Sequence, residues 1–180
     1  ASKTLIKKDP EKYYPLSEKV PKVLEDKEIV LLVITRDTTI YDNLSEELKR
    51  DSDIIDALLA TNENLIINIP IDIPNYKELC YKILEKKGSL YELLSAIHND
   101  KEALKIAIKS FPKAISFADL SLIDDEIIGL ITDFNAIDLE YMNIEKVKKL
   151  ITLDSFPINQ SNLKTQLLNL VNNGKLKMDY

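Results

Sequence analysis

An acidic helix start returns along this chain at a nearly constant interval, and no other feature limits the possible folds as tightly. Asp26-Lys27-Glu28-Ile29-Val30 recurs as Asp51-Ser52-Asp53-Ile54-Ile55, in weaker form as Tyr76-Lys77-Glu78-Leu79-Cys80, and then as Asp100-Lys101-Glu102-Ala103-Leu104 and Asp124-Asp125-Glu126-Ile127-Ile128. The steps are 25, 25, 24 and 24 residues. Such a period marks a repeat architecture, because a unit this short cannot bury its apolar face alone and successive units must stack.

In register, the apolar positions align. Ile29, Val30, Val33 and Ile34 are matched by Ile54, Ile55, Leu58 and Leu59, then by Leu79, Cys80, Ile83 and Leu84. Ala103, Leu104, Ala107 and Ile108 follow, and then Ile127, Ile128 and Ile131. The i, i+1, i+4, i+5 spacing puts each set on one face of an α-helix. Asp at the start accepts from first-turn N–H groups, and the acid two residues later faces the positive end of the helix dipole. A second apolar set follows in each unit: Ile40, Tyr41 and Leu44, then Leu65, Ile66 and Ile69, then Leu90, Tyr91 and Leu94, then Ala114, Ile115 and Ala118. The expectation is an all-α, solenoid-like array of two-helix units, each a longer helix, a turn and a shorter helix, forming a right-handed stack.

One helical-repeat domain is expected over residues 1–180. Repeats fall near 13–26, 27–51, 52–76, 77–100, 101–124 and 125–147, with a C-terminal cap over 148–174. Ile69-Pro70-Ile71-Asp72-Ile73-Pro74 breaks the helical pattern, since each proline removes a donor and restricts the residue before it. An extended run or kinked turn is predicted there. Ser110-Phe111-Pro112 and Ser155-Phe156-Pro157 look like paired terminators. Ser161 is the expected cap of a last helix through Leu163, Leu167, Leu168 and Val171, Gly174 its stop, and Lys175 to Tyr180 a frayed tail.

Composition narrows the function classes. The chain has 180 residues, 45% apolar and 30% charged, as expected of a packed globular protein. Three glycines disfavour turn-rich β architectures and glycine-rich phosphate loops, and a single cysteine cannot form an internal disulfide. No apolar run approaches the roughly 18 residues of a membrane span. The net charge of −6 argues against nucleic acid as a partner, because phosphate binders carry a basic stripe. The short clusters Lys7-Lys8, Lys86-Lys87 and Lys146-Lys148-Lys149 lie near helix ends or on hydrated faces. The chain begins without Met, which suggests an excised or processed fragment.

Leu44-Ser45-Glu46-Glu47-Leu48-Lys49-Arg50-Asp51, with its following two-apolar helix start, resembles the signature of a bacterial short α-helical repeat family, domain of unknown function 4116. Asn99-Asp100-Lys101-Glu102 and Asp26-Lys27-Glu28-Ile29-Val30 carry the same signature. The likeness spans residues 13–147 and weakens at Pro70–Pro74 and after Lys146. The matching residues are caps and core positions, so the resemblance implies a fold and no catalytic roles. It also implies a part of a larger translocated effector of a host-associated bacterium, located in the cytoplasm or inside a host cell.

Cys80 and His98 are the only residues of their types, which makes a Cys–His pair the first chemistry to weigh. Cys80 holds a register position occupied elsewhere by aliphatics, and a thiol packed there is inert. His98 precedes the Asp100 cap at a junction expected to be solvated. Asp124-Asp125-Glu126 is the densest acidic cluster, but it lacks the alternating ligands and central glycine of a calcium loop. No metal site and no cofactor is expected. Tyrosine gives the binding candidates: Tyr41 and Tyr91 at equivalent positions, Tyr81 and Tyr141 on other faces. They either edge a recognition groove or, for Tyr41 and Tyr91, fill the core with the hydroxyl at the rim. The functional expectation is a protein-interaction or scaffold domain that favours a basic segment on a partner protein. The alternative is a transferase or hydrolase whose site gathers dispersed carboxylates and His98.

Overall fold

Each of the four Asp-led segments begins as its side chain dictates. Asp26 accepts from the Glu28 N–H at 3.1 Å, Asp51 from Asp53 and Ile54, Asp100 from Ala103 and Asp124 from Ile127. Each cap residue has extended backbone, and an α-helix follows at once. In the computed structural model, which describes residues 21–177, the α-helices are α1 (Lys27–Ile34), α2 (Glu46–Lys49), α3 (Ser52–Thr61), α4 (Tyr76–Lys86), α5 (Lys101–Ser110), α6 (Asp125–Gly129), α7 (Ile144–Ile151) and α8 (Ser161–Asn172). Among the described residues the remaining regular elements are all 3-10 turns, so the described part of the chain is all-α. The expected first repeat near 13–26 and the Lys7-Lys8 pair fall largely outside the described residues.

The second half of each segment differs from the expected shorter α-helix. It is a 3-10 turn: Thr38–Asn43, Glu63–Asn68, Gly88–Leu93, Pro112–Ser116 and Phe134–Ala136. The cause is local. Asp37, Asn62 and Asp133 accept from the N–H two residues on, at 2.8, 3.0 and 2.9 Å, which favours a tight turn over a propagating helix. Pro112 supplies a fixed φ in place of a cap. A third short piece then precedes the next cap in most segments: α2, Ser95–Ile97, Leu120–Leu122 and Leu139–Tyr141.

Two compact units divide at Tyr76/Lys77. In the first, α1 packs on α3 and on the turn at 38–43, and α3 on 63–68 and α2. Ile29, Val30, Val33, Ile34, Ile40, Tyr41, Ile54, Ile55, Leu58, Ile66, Ile69 and Ile73 are buried. Residues 70–75 form the predicted kink as two successive turns, closed by Ile73 N–H to Pro70 and Tyr76 N–H to Ile73.

In the second unit, α5 packs on the turns at 88–93 and 112–116. Those turns touch each other, and 112–116 also touches 134–136. Helix α7 meets 120–122, and α8 meets 134–136 and 139–141. Ala103, Leu104, Ala107 and Ile108 of α5 are all buried, as are Cys80, Leu90, Tyr91, Ile115, Ile127, Ile128, Val147 and Leu163.

The C-terminal end departs from expectation twice. Gln160, in extended conformation, holds the cap position of α8 without a side-chain cap bond, and Ser161 is already helical. The expected frayed tail begins instead as a folded reversal. Gly174 takes φ +69°, the left-handed conformation that a side chain resists, and turns the chain so that Lys175 and Leu176 donate to the Leu170 carbonyl. Leu176 is buried as a result.

Close approach of the turn at 88–93 to α5 has a measurable consequence. A Cβ on Gly88 would lie 2.6 Å from the Ala107 carbonyl oxygen and 2.5 Å from Ser110 Oγ. The serine can rotate away; the backbone cannot. Gly88→Ala is expected to cost about 1–3 kcal/mol in urea denaturation, and an unchanged midpoint would contradict this contact.

Candidate functional site

The acids that look most like chemistry are shared between helices. Asp51 uses Oδ1 to cap α3 and Oδ2 to receive Lys27 of α1 at 2.8 Å. Asp100 caps α5 through Oδ1, and its Oδ2 receives Lys77 of α4 at 2.8 Å and the Tyr81 hydroxyl at 2.9 Å. Asp124 caps α6 and receives Lys101 of α5 at 2.6 Å. Lys27 and Lys101 stand one residue beyond the cap positions of their own helices, and Lys77 is the second residue of α4. Glu126 adds contacts to Lys101 at 2.7 Å and Lys105 at 2.5 Å. Asp125 accepts the Ser155 N–H at 2.7 Å. The cluster Asp124-Asp125-Glu126 thus meets amines and an amide N–H, with Lys101 shared by Asp124 and Glu126.

Proton affinities follow from these contacts. Burial pushes the Asp51, Asp100 and Asp124 carboxyls up, but lysine and the capped N–H groups together outweigh it, so all three lie below their ordinary 3.8. Burial raises Tyr81 to about 12, reinforced by its bond to Asp100.

His98 is packed rather than solvated. Its Nε2 lies 2.8 Å from the Tyr91 carbonyl oxygen, and its ring sits 5.0 Å from the Tyr91 ring and 6.3 Å from that of Phe117. Its own carbonyl accepts the Tyr91 hydroxyl at 3.3 Å and the Asp119 N–H at 2.9 Å. The junction knots 91–98 to 117–119. Cys80 is buried on the apolar face of α4, away from the exposure a nucleophilic thiol needs.

The four candidate tyrosines separate. Tyr41 and Tyr91 are buried, and each donates its hydroxyl to the carbonyl two residues before the next cap position, Lys49 at 2.7 Å and His98 at 3.3 Å. Burial pushes Tyr41 up to about 12 and raises Tyr91 further. Both rings fill the interior and present no face to a docking partner. Tyr81 is half-buried at Asp100. Tyr141, by contrast, is 87% exposed. The basic cluster is also engaged: Lys146 and Lys149 donate to the Ser116 and Leu120 carbonyls, and Lys148 pairs with Glu145.

Two ties escape a reading of the sequence. The lysine at the second position of the repeated signature has a register signal, since it recurs at 27, 77 and 101. Gln166, which accepts the Leu139 N–H and donates to the Ile137 carbonyl, has none. Among the described residues no group of three or more His, Cys, Asp or Glu converges to hold a metal ion, and no helix is long and apolar enough to cross a membrane. No family model, curated protein or solved structure matches this chain.

A carboxylate whose proton affinity is lowered on folding stabilises the fold above its unfolded pKa and loses that contribution as pH falls through the folded value. Stability is therefore expected to decline from about pH 5 downward, and Asp100→Asn to make that decline shallower; an equal or steeper decline in the variant, followed by urea denaturation, would contradict the assignment. Separately, Tyr91→Phe and Tyr41→Phe should each cost about 1 kcal/mol, the worth of one buried hydroxyl bond. Midpoints unchanged in both would show that the hydroxyls do not clamp the turns.

Proposed function

We propose that the chain is a stacked helical-repeat array that serves as a protein-interaction scaffold. The observation that carries this is the shared carboxylate: at the same register, 51, 100 and 124, one acid caps its helix and binds a lysine in the first turn of the helix one period earlier. A bond repeated at the sequence period is what a stack of like units needs, since each unit is stabilised chiefly by its neighbour. The same bond accounts for the acids without catalysis and leaves the exterior to carry function. There Tyr141 stands out, an aromatic suited to recognition because a rigid ring supplies area and its hydroxyl direction. The likeness of the signature at 44–51 to the bacterial repeat family 4116 agrees with this reading, and membership in a translocated effector belongs to the same proposal.

The mechanism is shape and charge complementarity, with an acidic exterior favouring a basic partner segment. Affinity capture from bacterial and host lysates, with the partner identified by mass, tests it through variants confined to one face. Tyr141→Ala, Ile67→Ser with Ile71→Ser, and Asp42→Lys with Glu47→Lys each leave the caps and core intact. At least one is expected to abolish capture while helicity and melting temperature hold, surface changes away from such features being worth about 0.5 kcal/mol or less. If the chain captures nothing, or if every variant captures like the parent, the scaffold reading is wrong.

A further inference from the structure

The segment 67–74 places isoleucine at every second position, and the fold uses only half of them. Ile69 and Ile73 are buried, whereas Ile67 is 53% and Ile71 66% exposed. Pro70 and Pro74 hold the backbone bent around Ile71 and offer no N–H, while Ile67 stands in the 3-10 turn Glu63–Asn68 just before it. A polar residue at 67 or 71 would leave the core unchanged. The aliphatic surface is unspent in the folded chain.

Its surroundings are acidic. Asp42, Glu46, Glu47 and Asp72 are exposed, and against these four carboxylates the strips 42–50 and 67–72 hold two cations, Lys49 and Arg50. Arg50 fixes the two strips side by side: one arm lies 2.7 Å from Glu46 Oε2, the other 3.3 Å from both oxygens of Asp72, which adjoins Ile71. Arg50, Glu46 and Asp42 all act electrostatically on the Tyr41 hydroxyl, which places them around the same corner.

We propose that this edge of the first unit binds an extended segment of a partner protein in which aliphatic and basic side chains alternate. The aliphatic side chains would cover Ile67 and Ile71, and the cations between them would meet Asp42, Glu47 and the outer face of the Glu46–Arg50–Asp72 bridge. Charge decides the occupant. A second copy of this chain, at net −6, brings like charge to an acidic edge, and a nucleic acid does so more strongly. The inference rests on the scaffold reading and assigns it a surface and a partner chemistry.

The whole chain, with isoleucine δ1 methyl groups labelled, is titrated with three short fluorescent peptides: alternating Lys-Ile, Lys-Ser and Glu-Ile. The Lys-Ile peptide is expected to bind best, more weakly as salt rises, and to shift the methyl signals of Ile67 and Ile71. Ile67→Ser with Ile71→Ser, and separately Asp42→Lys with Glu47→Lys, should each weaken it by about tenfold, a loss of one or two surface contacts, with the melting temperature unchanged. Equal binding of Lys-Ser would reduce the effect to bulk charge and overturn the proposal. So would shifts confined to other methyl groups, or none at Ile67 and Ile71. Lysate capture that persists in the Ile67/Ile71 variant but fails in Tyr141→Ala would overturn this placement while leaving the scaffold reading standing.

Discussion

One carboxylate serving two helices is the interaction on which the rest depends. A helix start has unpaired N–H groups and a positive dipole end, so an Asp there is favourable by itself. Its second oxygen is then free, and a lysine in the first turn of the helix one period earlier takes it. A lone exposed ion pair contributes little. Here the acid is already oriented by its cap bonds, which removes much of the entropy cost of holding it for a lysine.

This sharing accounts for the acids at the recurring helix starts. At 51, 100 and 124 both oxygens are engaged, and at 125 the acid accepts a backbone N–H from 30 residues on. His98 follows the same pattern, its ring and carbonyl drawing the stretches 91–98 and 117–119 together. Large apolar side chains also face outward: Ile67, Ile71, Leu93, Leu120, Leu168 and Tyr141.

The helix starts, their buried faces and the kink at 70–75 were legible because they depend on neighbours within a few residues. Asp at the cap, apolar residues at i, i+1, i+4 and i+5, and proline all act locally. The 3-10 turns were misjudged as short α-helices, although Asp37 and Asn62 carried the tight-turn signal. The folded reversal after Gly174 was missed because Leu176 gains its place only by returning to Leu170. Of the tyrosines, sequence grouped Tyr41 with Tyr91 correctly by register. It left open whether those two rings edge a groove or fill the core; burial settles on the core and separates them from Tyr141.

The most direct test is a double-mutant cycle on Lys77 and Asp100, using Lys77→Met, Asp100→Asn and both together. Asparagine keeps an oxygen for the Ala103 N–H and gives up the charge that binds the amine. Shared use of the carboxylate predicts that the double variant loses less stability in urea denaturation than the two single losses added, and that high salt narrows the gap. Strict additivity at low and high salt would contradict it and reduce Asp100 to a helix cap alone.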